Sequence, residues 1–347
     1  MDGRANDVKT GRVIHGTPNL HSTTKLSTCK VPTSRKQHQA AREQTISLLF
    51  PLTWSRRFGQ PTMEPPAQSA SSDPPSTHTL NSGDAAAQLV EGLPHRPFTS
   101  SQGLHRTLES RREALAQDKS REQYLVYTAV LPEIHSKLID NRSRTSKYCR
   151  FSYSEITGTL IAKVKANPEE GLAARSFDVL IGLELHSMGV DWDVDPLGST
   201  TVTIGSWKKE ADCSWGPVQY NTELNFVVLL SLSESARYLA LDARAWLETA
   251  TSTVKLVVTI GINRANPEVI VQRWEIFAGS SPAARPSATI RLYRNNNTTS
   301  IAGGQLVLPF DKVVGRQPTR PIERDIILSE PALRDYAERL WVRQGFM

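Results

Sequence analysis

Cysteine is scarce in this sequence, and its three copies lie far apart. Cys29, Cys149 and Cys213 form no C-x-x-C pair and have no histidine at metal-ligand spacing. A structural zinc site needs clustered ligands and a disulfide framework needs many cysteines, so the spacing argues against both. Reduced thiols fit the cytosol or the nucleus. We therefore expect an intracellular protein, cytoplasmic or nuclear, that is not secreted.

Long apolar runs are also missing. A membrane-spanning helix needs about 20 consecutive apolar residues, and no run in the chain approaches that length. The longest early run, Ile46–Trp54, begins too deep in the chain for an ordinary secretory signal. We expect no membrane partner and no export.

A surplus of positive charge is missing from most of the chain, although the whole carries a formal net charge of +6. Residues 1–62 hold ten lysine or arginine residues against three acidic residues, a net charge of +7, which leaves −1 for residues 63–347. A protein that attracts nucleic acid through its overall field needs a positive folded part. Nucleic acid is therefore a partner that the folded part could bind only through a local basic patch. The sequence identifies no protein partner.

Two stretches of biased composition precede the periodic part of the chain. Residues 1–62 are rich in Thr, Ser, Gln and Lys, and residues 63–100 add six prolines. Such segments cannot bury enough apolar surface to offset the entropy lost on ordering. We predict a disordered, basic and Pro/Ser-rich region at residues 1–103 and one folded domain at residues 104–347. The charged run at residues 106–123 indicates a solvated surface helix.

Periodicity in the rest of the chain alternates between strands and helices. A hairpin is indicated at Lys147–Ser154 and Gly158–Lys165, and an amphipathic helix begins at Pro168. A strand–helix–strand passage covers Phe226–Ile262 and requires a crossover connection. The fold class we predict is α/β, with a mixed central sheet flanked by helices and with the hairpin at its first edge. Ser233 is placed to cap the helix of this crossover, and Ser329 is placed to cap a last helix.

Charged and aromatic residues gather between Gly198 and Ser235. The run KKEADCSW, residues 208–215, places Glu210 and Asp212 beside two lysines and a tryptophan, just before a buried strand. Carboxylate oxygens bind divalent cations, and cations beside them suit a phosphate. This stretch therefore predicts the functional site.

The motif KKEADCSWGP, followed by VVLLSLSES, a helix with Asp242 and Trp246, and then VKLVVTIGI, resembles a large group of uncharacterised fungal proteins. Their core is similar to the PD-(D/E)XK restriction-endonuclease-like fold, and the resemblance covers roughly Tyr124–Trp341. It implies a restriction-endonuclease-like core. It also implies a site in which two acids and a lysine gather at one end of a sheet. There the acids bind Mg²⁺, and the metal with the lysine activates water.

The resemblance assigns the first acid to Asp212, and it also reveals a gap. Leu229 stands where the second acid is expected, and Ser231 stands at the following variable position. Both the acid and the lysine are absent from that strand. Leucine cannot coordinate a hard cation. Either Glu170 or Glu234 could supply the second acid, and Lys255 could supply the charged partner. The predicted catalytic set is therefore Asp212, Glu170, Glu234 and Lys255, with Asp212 and Glu170 as metal ligands. Glu223 is a further acid, without a lysine at the required spacing.

Two functions from different classes follow from the resemblance and from its gap. The first is a catalytically degenerate nuclease-fold protein that acts as a binding module, since Leu229 replaces the expected acid. The second is a Mg²⁺-dependent nuclease that hydrolyses DNA or RNA with a migrated acid. Mg²⁺ is the cofactor of the second function, and the first needs none. Cleavage that depends on Asp212 distinguishes them.

Overall fold

The computed structural model describes residues 85–140, 146–165, 168–218, 223–279 and 282–347. The disorder predicted for the N-terminal region lies, up to residue 84, outside the described residues.

Strands and helices alternate along the described part of the chain. The strands are β1 (His95–Pro97), β2 (Tyr124–Thr128), β3 (Cys149–Ser154), β4 (Thr159–Val164), β5 (Val194–Pro196), β6 (Thr201–Ile204), β7 (Trp207–Glu210), β8 (Cys213–Pro217), β9 (Phe226–Leu232), β10 (Leu256–Ile262), β11 (Glu268–Phe277), β12 (Ala283–Asn295), β13 (Thr298–Ala302), β14 (Leu306–Leu308) and β15 (Ile326–Leu328). The α-helices are α1 (Ala85–Glu91), α2 (Ser101–Ala116), α3 (Pro132–Asp140), α4 (Pro168–Ser187), α5 (Ala236–Glu248), α6 (Phe310–Val314) and α7 (Glu330–Gln344).

Regular structure begins before the predicted boundary at residue 104. Helix α1 buries one face in an apolar cluster that also contains Leu241 and Ala245 of α5. This burial offsets the entropy cost of ordering so short a helix. We therefore correct the boundary: residues 85–103 contain α1, β1 and the start of α2 instead of continuing the disordered region.

The predicted hairpin forms, but its place in the sheet differs from the prediction. β3 and β4 pair antiparallel, with Cys149 opposite Val164 and Ser154 opposite Thr159. They lie inside a six-stranded sheet of order β1-β2-β4-β3-β7-β6, and not at an edge. The predicted edge position was wrong because β2 and β7 flank the hairpin on its two sides. These two strands are distant from each other in sequence, so local patterns do not indicate that they meet at the hairpin.

A second sheet, of seven strands, contains the strand next to the predicted site. Its order is β13-β12-β11-β10-β9-β8-β5. β9 and β10 are parallel and are joined through α5, which confirms the predicted crossover. β8 pairs antiparallel with β9, and β11 pairs antiparallel with β10. The fold is therefore mixed α/β with helices on its sheets, as predicted. The single central sheet is corrected to two sheets and a β14–β15 ribbon among the described residues.

Both faces of β9 are buried, as expected for a strand covered on two sides. Val228 and Leu230 face an apolar cluster that includes Phe177 of α4 and residues of α7. Val227 and Leu229 face another cluster, which is built on α5. β9 is therefore a fixed internal strand, and the groups bound to it are held in place.

Helix ends explain two of the local predictions. Ser329 caps α7, since its hydroxyl accepts from the Ala332 N–H at 3.4 Å. Ser233 was also predicted as a cap, but it begins a 3₁₀ turn, and its hydroxyl donates to Glu234. No helix in the described ranges has the length and apolar content needed to cross a bilayer.

Candidate functional site

Asp212 lies between β7 and β8, and its carboxylate is fixed against β9. Its backbone N–H donates to the Val228 carbonyl at 3.1 Å. The Leu230 N–H donates to Asp212 Oδ2 at 2.7 Å. The side chain of Asp212 is fully covered. The residue predicted as the first acid is thus held rigidly inside the protein.

Three cations converge on this one carboxylate. Lys163 Nζ lies 2.6 Å from Oδ2, and Lys165 Nζ lies 2.7 Å from Oδ1. Arg150 Nε lies 3.5 Å from Oδ1. All three belong to the β3–β4 hairpin or to the residue after it, where Arg150 is paired with Lys163. Because alternate residues of a strand share a face, Lys163 and Lys165 point to the same side. We call Asp212 with these three residues the Asp212 cluster.

Electrostatics in the cluster favour the ionised carboxylate. Burial by itself raises the pKa of Asp212. The charges of Lys163, Lys165 and Arg150, together with the Leu230 N–H, outweigh burial and hold the pKa well below its usual range. Asp212 is therefore an anion at neutral pH, and its charge is matched by groups of the protein itself.

Glu170 is brought to the same end of β9 through Gln123. Gln123 Nε2 donates to Glu170 Oε1 at 2.9 Å, and the Leu232 N–H donates to Gln123 Oε1 at 2.7 Å. Gln123 is fully buried, and Glu170 is only 1% exposed. Ser231 Oγ also donates to Gln123 Oε1, at 2.9 Å. The polar end of β9 is thus bound to the side-chain amide of Gln123.

Leu229 occupies the place of the expected second acid, and its surroundings are apolar. It is 1% exposed and packs in the cluster that contains Ala243 and Trp246 of α5. No oxygen ligand can come from this position. An apolar side chain therefore occupies the position where the resemblance expects a carboxylate.

The other predicted residues do not join Asp212. Glu234 is exposed, accepts from the Ser233 hydroxyl and lies 3.7 Å from Arg264 Nη2. Lys255 is exposed at the start of β10, where its N–H donates to the Asn225 carbonyl. On β10, the residue that pairs with Leu229 is Thr259. Lys255 comes four residues before Thr259, so it lies about 13 Å along the strand from the position next to Leu229. Glu223 is exposed just before β9, and Glu210 accepts from the Phe151 N–H and the Thr201 hydroxyl instead.

The donor set around Asp212 does not fit a divalent cation. Magnesium needs several oxygen ligands in octahedral geometry, whereas both oxygens of Asp212 already contact cations or an N–H. Three positive charges at such distances also repel a dication. Within the ranges that the structure describes, no group of three or more His, Cys, Asp or Glu side chains could hold a metal ion.

Sequence reasoning missed the three cations and Gln123. The motif AKVK at the end of β4 carried a signal, because two lysines two residues apart on a buried strand need a partner for their charges. Arg150 and Gln123 gave none, since their role depends on contacts between segments remote in sequence.

Comparisons with known proteins add little to this geometry. No protein-family model matches the chain, and a search of curated proteins finds no relative. A solved structure from Anabaena variabilis ATCC 29413, described as a nuclease candidate belonging to DUF820, is similar over 54% of this chain and 90% of its own. The identity is 11% and the TM-score is 0.29. At these values the similarity establishes neither a shared fold nor a shared activity.

Proposed function

We propose that this chain has a restriction-endonuclease-like core whose metal site is replaced by the Asp212 cluster, and that it acts by binding instead of hydrolysis. The observation that carries the proposal is the covered Asp212 carboxylate, with two ammonium groups within 2.7 Å. A hydrolytic site needs a carboxylate open to metal and substrate. Here the lysines take the place of the metal as counter-ions.

Two further observations support the proposal. The order of α4, the antiparallel pair β8–β9, α5 and the parallel strand β10 agrees with the core that the sequence resemblance implies. Leu229 supplies an apolar contact where that site would need an oxygen. Nucleic acid is the ligand class that such a core suggests, and we propose it as the first class to examine for binding.

The test is metal-dependent cleavage of labelled DNA and RNA by the full chain, together with calorimetric titration of Mg²⁺ and Mn²⁺. We expect neither cleavage nor metal binding from the wild type. Asp335→Asn serves as the matched control for Asp212→Asn, because Asp335 is exposed. Cleavage by the wild type and by Asp335→Asn that disappears in folded Asp212→Asn would overturn the proposal.

A double substitution tests whether a lysine has replaced the metal. Lys163→Met removes the ammonium at Asp212 Oδ2, and Leu229→Glu restores a carboxylate at the expected position on β9. We expect Lys163→Met/Leu229→Glu to bind Mn²⁺ more tightly than the wild type, because it exchanges a positive charge for a negative one beside Asp212.

One observation favours the second function, a Mg²⁺-dependent nuclease. The cluster brings an acid and lysines together, and Gln123 links Glu170 to the end of β9 at Leu232. In this alternative the migrated lysine comes from β4, and Glu170 is the second acid. The cluster would have to open, and one ammonium would have to leave Asp212 before a metal could bind. The cleavage assay above decides between the two functions.

A further inference from the structure

A second charged site lies between β1 and α2. It is a pocket of about 420 Å³. Its polar lining consists of Arg96, Arg106, Thr107, Ser110, Arg111 and Ser120. Three arginines and three hydroxyl-bearing residues thus line one space, and none of the described residues that line it is acidic. The Thr107 hydroxyl is used within the helix, where it donates to the Gly103 carbonyl at 3.0 Å. We call it the arginine pocket.

The charges of α2 are sorted onto different faces. Arg106 and Ser110 are four residues apart, as are Thr107 and Arg111, so both pairs lie on one face of the helix. Outside the lining, Arg112 binds Glu109 at 2.6 Å. The sequence of residues 106–123 indicates a solvated helix of mixed charge. In the structure, α2 has one basic face that carries no acidic residue.

The three guanidinium groups are not neutralised at contact distance. In the described part of the chain, none of them forms an ion pair with a carboxylate, although Arg111 Nη1 donates to the Glu122 backbone carbonyl at 2.6 Å. Burial lowers the pKa of Arg111, Glu122 raises it and Arg96 lowers it again. The lining thus holds three arginines, and Glu122 is the carboxylate that acts on Arg111.

We propose that the arginine pocket binds the phosphomonoester group of a phosphorylated ligand. Such a group carries about −1.5 to −2 charges at pH 7 and accepts several hydrogen bonds, which suits a pocket lined by three arginines. Guanidinium groups bind phosphate oxygens through paired N–H donors. Ser120 Oγ accepts from the Glu122 N–H at 3.3 Å, so its own proton remains to donate. This site is separate from the Asp212 cluster, and its ligand does not depend on whether that cluster is catalytic.

The experiment measures equilibrium binding to the full chain at about 0.15 M salt, which limits non-specific phosphate attraction. The probes are inorganic phosphate, adenosine 5′-monophosphate, and one single-stranded oligonucleotide with either a 5′-phosphate or a 5′-hydroxyl. Arg106→Gln and Arg111→Gln remove one lining charge each. Arg112→Gln, on the same helix but paired with Glu109, is the matched control. Arg106 is exposed, so its variant should fold even if Arg111→Gln does not.

We expect the phosphomonoester probes to bind, and each lining substitution to weaken them about tenfold or more, because a charge-assisted hydrogen bond is lost. Arg112→Gln should bind like the wild type. Stronger binding of the mononucleotide would assign the ligand to free phosphorylated compounds, and stronger binding of the 5′-phosphorylated oligonucleotide would assign it to a strand end.

Three results would overturn the proposal. They are no binding of any phosphate probe, equal binding of the 5′-phosphorylated and 5′-hydroxyl oligonucleotides without binding of the mononucleotide, and an equal loss in Arg112→Gln and Arg106→Gln. Cleavage is assayed separately on the same preparation. A wild type that cleaves nucleic acid therefore contradicts the proposed function without affecting this site, and a failure of the arginine variants contradicts this site alone.

Discussion

Two carboxylates of this protein are each enclosed by cations, but the enclosures differ in their contact with water. Asp212 and Glu323 both have fully covered side chains. The lysines on Asp212 are themselves buried, with side chains 5% and 9% exposed. The arginines on Glu323, Arg316 and Arg320, are 35% and 48% exposed. The lysines that neutralise Asp212 are therefore buried in the protein, whereas the arginines that neutralise Glu323 lie at the surface in contact with water.

The difference shows which ion pairs the fold depends on. Removing one partner of a buried pair leaves a charge that water cannot reach, which costs several kcal/mol. Removing one partner of a surface pair lets the other turn into solvent, and such pairs contribute little. Asp212 should therefore stabilise the whole molecule, and Glu323 should stabilise only the segment around it.

The largest effect is expected from Asp212→Asn. The amide keeps the shape of the side chain, but it leaves Lys163, Lys165 and Arg150 without a counter-charge. We expect the free energy of unfolding to fall by about 3–5 kcal/mol, measured by urea denaturation. Asp335→Asn, at an exposed aspartate, should stay within about 0.5 kcal/mol of the wild type. A loss below about 1 kcal/mol for Asp212→Asn would mean that the cations do not need this carboxylate.

The pH dependence of stability is the next effect in size. The folded pKa of Asp212 is held far below its usual value, chiefly because Lys163 and Lys165 outweigh burial. In the unfolded chain an aspartate binds a proton near pH 4. The contribution of Asp212 is therefore complete above about pH 4 and is lost below it, at up to about 1.4 kcal/mol per pH unit. The difference in stability between wild type and Asp212→Asn should narrow by about 1 kcal/mol between pH 4 and pH 3, and parallel curves would contradict this.

The sequence predicted most elements of the fold but not how the sheets are arranged. Local patterns were enough for the hairpin, for the helix at Pro168 and for the crossover from β9 to β10, because each depends on residues close in the chain. The pairing of β3 with β7 joins strands more than 50 residues apart. No periodicity indicates such a partner, so two sheets were predicted as one.

Only part of the candidate site could be predicted from the sequence. Asp212 and the apolar gap at Leu229 could be located from a motif that is continuous in sequence. The groups that neutralise Asp212 come from the β3–β4 hairpin, about 50 residues earlier. Lys255 was chosen because it is near in sequence, yet it lies at the opposite end of β9 from Leu232. Charge balance inside a core is decided by three-dimensional proximity, which spacing does not reveal.

His135 is a buried ionisable group that, unlike Asp212 and Glu323, has no ion-pair partner in the described structure. It is 2% exposed and stacks on Tyr153, with 4.5 Å between ring centroids. Neither ring nitrogen has a hydrogen-bond partner in the described structure. Burial and the charge of Lys208 lower its pKa to about 4, against the smaller opposing effects of Glu155 and Asp140.

His135→Phe should therefore change how stability responds to moderate acid. The unfolded histidine binds a proton near pH 6.5, and the folded one does not until about pH 4. Stability is thus present above pH 6.5 and lost as the pH falls. Phenylalanine keeps the stacking and cannot be protonated. After allowance for solvent screening, we expect the variant to gain about 1 kcal/mol on the wild type between pH 7 and pH 5. An unchanged difference across that range would contradict the low pKa.

The smallest global effect is expected from Glu323→Gln. Hydrogen bonds from Arg316 hold the pKa of Glu323 below its usual range, and the Thr319 N–H also donates to this carboxylate, at 2.6 Å. Since the arginines can turn into water, the unfolding transition should hardly move. Local opening should increase instead, and we expect the Thr319 amide to exchange its hydrogen about tenfold faster. A global loss as large as that of Asp212→Asn would show that exposure of the cations does not decide what a covered carboxylate contributes.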